Sequence, residues 1–106
     1  MARKKVTWTD FARQDFKETL SFYNERNQSK SYSKKLLKKI KTIIGLIVRH
    51  PNLGTATEFQ EIRVIGTTPF RIYYKNKEDS LVILLIWDSR RNPEDLTEII
   101  RAGVTN

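Results

Sequence analysis

Between Glu61 and Pro93 the chain reads EIRVIGTTPFRIYYKNKEDSLVILLIWDSRRNP, and Arg63, Arg71, Arg90 and Arg91 all fall within or just after its apolar runs. A guanidinium is a planar fork that offers a phosphate or a carboxylate two parallel, charge-assisted hydrogen bonds. Arginines gathered by a sheet therefore suit a phosphate backbone or an acidic partner. Strand alternation places Arg71, Tyr73 and Lys75 on one face, and Arg63, on the preceding strand, is expected to neighbour Arg71 across the hairpin. Arg90 and Arg91 follow the most apolar strand directly, and strand-end loops are common functional positions. Glu61, Asp88 and Tyr73 are the nearby candidates for moving a proton. Tyr73, Tyr74 and Trp87 would stack a base if exposed and fill a core if not. Each residue also has a plain structural role open to it. Arg63 and Arg71 would be ordinary solvent-face residues, Glu61 and Asp88 would anchor arginines, and Arg91 would pair with Glu94 or Asp95.

A second basic group comprises Lys34, Lys35, Lys38, Lys39 and Lys41, in a segment with no Asp or Glu between Ser29 and His50. Lys34, Lys38 and Lys41, with Lys75, are the candidates for RNA or phosphate contact, and a solvated helix face is the alternative. The single histidine, His50, sits beside Pro51 at a helix end, which argues against acid-base work.

Stepping outward from these groups, the surrounding pattern fixes the elements that must position them. Val6-Thr7-Trp8 is a short β-prone run. Thr9 or Asp10 caps a helix over Phe11–Arg26, with Ala12, Phe16, Leu20 and Tyr23 at helical spacing. A second helix spans Ser31–Arg49 on a stripe of Leu36, Ile40, Ile43 and Ile47, and Pro51 ends it. Gly45 is expected to let the two helices of this antiparallel hairpin approach closely. Residues 51–60 form a loop. Strands follow around Ile62–Val64 and Phe70–Lys75, and Leu81–Trp87 is apolar enough to be a strand covered on both faces. Asn92-Pro93-Glu94-Asp95 is a helix start: capping residue, first-turn proline, acidic first turn. The order is β-α-α-β-β-β-α, an α+β fold in which an N-terminal strand and a helical hairpin precede a three-strand antiparallel meander and a short C-terminal helix. All 106 residues are expected to form one domain.

Composition narrows the function classes. The chain is 39% hydrophobic, enough for a core, and its 20 Lys and Arg against 12 Asp and Glu give +8, a balance that favours polyanions or acidic proteins. It has no cysteine, which removes disulfides, thiolate metal sites and a cysteine nucleophile. No histidine-rich cluster or nucleotide glycine motif exists, so neither metal nor cofactor is expected. Lacking a signal core or a run of about 20 apolar residues, the chain is expected in the cytoplasm and not in a membrane.

The whole pattern resembles the RelE/ParE family of bacterial toxins. The resemblance rests on the helical hairpin closing on His50-Pro51-Asn52-Leu53-Gly54, on Ile62-Arg63-Val64 before Phe70-Arg71-Ile72-Tyr73-Tyr74, and on the apolar strand ending in Trp87-Asp88-Ser89-Arg90-Arg91-Asn92-Pro93. It implies the toxin of a type II toxin-antitoxin module, neutralised by a cognate antitoxin. Family resemblance further implies that Arg71 matches an arginine contacting the scissile phosphate in nuclease members, Arg63 a basic position before it, and Arg90 or Arg91 a basic residue after the last strand. Glu61, Asp88 and Leu96 depart from the lysine, histidine and tyrosine of various nuclease members. With the breadth of nucleases in that family, and with the clustered arginines, the resemblance leans toward a ribosome-dependent mRNA endoribonuclease that arrests translation, with the ribosome and mRNA as partners. The alternatives are a ParE-like DNA gyrase inhibitor without nuclease activity, or a degenerate member that only binds its antitoxin.

Overall fold

The chain runs β1 (Lys5–Trp8), α1 (Asp10–Asn27), α2 (Ser31–Arg49), β2 (Thr55–Ala56), β3 (Ile62–Thr67), β4 (Phe70–Asn76), β5 (Ser80–Asp88) and α3 (Pro93–Arg101). The structure, a computed structural model, describes residues 4–102.

Local chemistry sets the helix ends. The Thr9 side chain accepts the Ala12 amide at 3.0 Å, which satisfies one of the first-turn donors of α1. At the other end Gln28 adopts a left-handed conformation (φ 49°), and the Gln28 and Ser29 amides close on the carbonyls of Glu25 and Asn24. The hairpin then turns immediately into α2, and the Ser33 hydroxyl donates to the Leu20 carbonyl at 3.1 Å to tie the two helices. Asn92 caps α3 by accepting the Glu94 amide at 3.1 Å, with Pro93 in the first turn.

The five strands lie in the order β1-β5-β4-β3-β2. β1 runs parallel to β5 and the other pairs are antiparallel, so the sheet is mixed, and the α+β class and element order read from the sequence are those observed. The extra strand, β2, is only two residues long and falls inside the segment expected to be loop; it pairs Thr55 with Val64 and Ala56 with Arg63. A two-residue strand has no periodicity to detect.

β5 is buried from Leu81 to Trp87 because both of its faces are covered. Leu81, Ile83 and Ile86 join Phe70, Ile72 and Tyr74 beneath the stripe of Leu36, Ile40, Ile44 and Ile47 on α2 and Ala12, Phe16 and Tyr23 on α1. Val82, Leu84, Leu85 and Trp87 face the other way, with Tyr73 and Ile62, against Leu96, Ile99 and Ile100 of α3. Leu84 and Leu85 are consecutive yet share a face. The β4–β5 register pairs Tyr73 with Leu85 but Tyr74 with Ile83, leaving Leu84 as the extra residue of a bulge.

Gly45 does not mediate helix approach. It is exposed on α2, and a Cβ there would meet nothing within 4 Å. The hairpin packs through the Leu36–Ile40–Ile47 side, and Gly45 lies on the solvent side of the same helix.

Candidate functional site

The sheet end formed by the start of β4 and the close of β5 gathers Arg71, Arg90 and Arg91. Phe70 pairs with Asp88 and Arg71 with Trp87, so Arg71 lies beside the tryptophan on the α3 side of the sheet. Arg90 turns to the opposite side. Its Nε donates to Asp88 Oδ1 at 2.9 Å and its Nη2 to Asp88 Oδ2 at 2.8 Å, a two-pronged pair. The Arg90 amide also donates to Asp88 Oδ1, at 2.9 Å. Tyr23, from α1, donates its hydroxyl to Asp88 Oδ2 at 2.9 Å and accepts from Arg90 Nη2. The guanidinium lies 5.5 Å from the Tyr23 ring centroid and 6.0 Å from that of Phe70. A carboxylate, a guanidinium and a phenol thus close a clamp that pins α1 to the end of β5.

Charge and burial set the protonation of this clamp. The Arg90 guanidinium, helped by the Arg90 amide and the Tyr23 hydroxyl, holds the Asp88 carboxyl down to about 2 despite its burial. Asp88 in turn raises Arg90 above its ordinary value. Burial first, and the hydrogen bond to Asp88 second, raise the Tyr23 phenol. At neutral pH the clamp is therefore an ion pair bridged by a neutral phenol.

Arg91 takes a different path. Its guanidinium lies 4.4 Å from the Trp87 ring centroid and reaches Asp15 of α1 at 3.4 Å. Glu94 and Asp95, the partners considered from sequence, are not in this pair. Burial pushes the Asp15 carboxyl above its usual range, and the nearby Arg91 offsets this only in part. A shallow cavity of about 310 Å³ opens here, with Asp15, Glu18, Phe22 and Arg91 in its lining. Arg71 is exposed, and among the described residues its guanidinium has no hydrogen-bond or ion-pair partner.

Arg63 does not join this group. It pairs with Tyr74, whereas Arg71 pairs with Gly66, so the two arginines stand on opposite faces and toward opposite ends of the β3–β4 hairpin. The expectation of neighbours failed because an odd register separation reverses the face. Arg63 instead donates to the Gly54 carbonyl at 2.6 Å. Tyr74, fully buried, donates to the Pro51 carbonyl at 2.8 Å and accepts the Gly54 amide at 2.9 Å. Together they fasten the segment after α2 to the sheet. A Cβ on Gly54 would fall 2.7 Å from the Tyr74 hydroxyl, so the close approach requires glycine.

The remaining candidates scatter. Glu61 is exposed just before β3, with a positive φ of 65°, at the Arg63 end of the hairpin. Tyr73 is buried beneath α3, and Tyr74 and Trp87 are core residues, so none of the three offers a face for a base. Lys75 shares the Arg71 face but stands roughly 14 Å along the strand at about 3.4 Å per residue. Lys34, Lys38 and Lys41 are exposed on α2. Tyr23 and Asp15 were not singled out as site residues from sequence. The available signal was a tyrosine on a core stripe, whose hydroxyl needs a polar partner once buried. Among the described residues no group of His, Asp and Glu is placed to hold a metal ion, and no helix is long and apolar enough to cross a membrane.

Comparison with known proteins bears on this arrangement. No curated protein sequence matches the chain. A solved structure described as the chromosomal ParDE TA system from P. aeruginosa is similar in fold, with a TM-score of 0.67 at 18% identity over 81% of this chain and 96% of that one. The family described as ParE toxin of type II toxin-antitoxin system, parDE, matches residues 6–93, from β1 through the clamp to the first residue of α3. That span takes in every element but the rest of α3, and the chain belongs to the ParE toxin family of type II toxin-antitoxin systems.

Proposed function

We propose that this toxin acts by binding, as an inhibitor of DNA gyrase, and not by cutting RNA. The observation that carries the reading is the clamp. Phosphodiester cleavage by a 2′-hydroxyl needs a base and an acid whose protons are free to move. Of the carboxylates paired with these arginines, Asp88 is held by Arg90 and Tyr23 at a pKa of about 2, so it is a very weak base, and Asp15 is engaged by Arg91. Tyr23 has its phenol raised further from neutrality, and Tyr73 is buried. The site is built as a fixed charged surface rather than as proton-transfer machinery. Membership of the ParE family supports the same target.

A cognate antitoxin is the second partner in this reading, in keeping with the two-component system named for the similar structure. An amphipathic helix laid along α1, where Phe11 and Phe22 are exposed, with acidic residues toward the arginine end, fits the surface. The setting proposed is the cytoplasm.

The mRNA-cleaving reading keeps one specific support: Arg71 is exposed and without a partner among the described residues, as a phosphate-holding arginine must be. One pair of assays separates the two. Purified toxin is added to gyrase and relaxed plasmid, and in parallel to ribosomes programmed with a defined mRNA. Loss of supercoiling with intact mRNA is expected. Intact supercoiling at high excess of toxin, together with new mRNA 5′ ends that vanish in Arg71→Ala, would overturn the proposal.

A further inference from the structure

The arginines of the sheet end are largely satisfied within the chain, by Asp88 and Asp15, but the lysines of α2 are not. Lys34, Lys35, Lys38, Lys39 and Lys41 are all exposed, and among the described residues none has a hydrogen bond from its ammonium group or an ion pair. Helical spacing sets Lys34 against Lys38 and Lys35 against Lys39 one turn apart, and like charges at that spacing destabilise a helix. No carboxylate interrupts the segment from Ser29 to His50 to relieve the repulsion. A local cost without an internal offset points to a partner outside the chain.

The chemistry of the face selects the partner. Protein interfaces are poor in lysine and rich in aromatic anchors, whereas this face presents lysine point charges. Single-stranded nucleic acid needs exposed aromatic platforms, and the large exposed aromatics, Phe11 and Phe22, are both on α1. Closely spaced cations match the regular phosphates of a duplex.

We propose that the outer face of α2 binds the phosphate backbone of duplex DNA without regard to sequence. This goes beyond the choice of toxin target and does not depend on it.

The test is fluorescence anisotropy of a labelled random-sequence duplex with the purified full chain, over a threefold range of salt. Four lysine-phosphate contacts give a slope of log affinity on log salt of about −3.6, so affinity should fall about fifty-fold across the range. Replacing Lys34, Lys38 and Lys41 together by Gln keeps helix propensity, and should flatten the slope by about 3 and weaken binding equally for all sequences. A charge-matched variant with Lys17, Lys77 and Arg101 changed to Gln should keep most of the slope, and far-UV circular dichroism should show both variants folded. The proposal fails if the α2 variant keeps the wild-type slope, if the charge-matched variant loses as much, or if a single strand or polyglutamate of equal charge binds more tightly than the duplex.

Discussion

Asp88→Asn tests the clamp at its centre. The amide keeps the size of the side chain and an acceptor for Tyr23, but removes the charge that Arg90 grips through two prongs. Lowering a carboxyl from 3.8 to about 2 corresponds to roughly 2.4 kcal/mol at about 1.36 kcal/mol per unit, taken at face value. That value must be discounted. The Asp88 side chain is only 13% exposed, but that of Arg90 is 53% exposed, and solvent screening of such pairs leaves about 1 kcal/mol. For a domain of this size about 1 kcal/mol shifts Tm by roughly 4–8 °C.

The sign with pH follows from the direction of the shift. Asp88 has a folded pKa below its unfolded one, so its contribution is complete above about pH 4. It is lost as the pH falls through the folded value near 2. Wild type should therefore melt several degrees above Asp88→Asn at neutral pH, and the gap should close between about pH 4 and pH 2. Thermal melts followed by circular dichroism across that range measure it. Equal melting temperatures at neutral pH would refute the energetic role of the pair. A gap that persists undiminished near pH 2 would refute its assignment to charge.

Tyr74→Phe should cost about 1–3 kcal/mol in urea unfolding, because it leaves the Gly54 amide and the Pro51 carbonyl without their partner; amide exchange at Gly54 should speed up as well. Gly45→Ala should stabilise the chain by roughly 0.5–1 kcal/mol, since the added methyl meets open space in an exposed helix position, and a lowered urea midpoint would contradict this. Arg71→Gln should leave folding stability within about 0.5 kcal/mol of wild type while reducing growth arrest on expression without antitoxin; a large fall in Tm would show that the residue is holding the fold.

The elements were legible because their signals are local. The Leu36–Ile40–Ile47 stripe, the Asn92-Pro93 helix start and the unbroken apolar run of β5 each specify a structure from a few neighbouring residues. The site was legible only in part, because its contacts cross the chain. Tyr23 meets Asp88 across 65 positions, and Arg91 meets Asp15 across 76. Spacing gave α1 its apolar stripe but could not say which strand end received the Tyr23 hydroxyl. Arg63 was misplaced for a related reason. Alternation fixes faces within one strand, but faces between strands depend on register, which the Gly66–Arg71 pairing sets through the turn.

Register also decides what the arginines mean. Four of them in one stretch suggested a single cationic pocket, yet three are engaged within the fold. Arg63 fastens the Gly54 segment, Arg90 closes the clamp, and Arg91 lies on Trp87 and pairs with Asp15. Binding an anion through Arg90 would require breaking a two-pronged pair and leaving Asp88 beside Tyr23 with its charge uncompensated. Among the described residues, the cations that have no acceptor within the chain include Arg71 at the sheet end and the lysines of α2. The clamp itself, by pinning α1 to the end of β5, holds the helical hairpin against the sheet that carries Arg71.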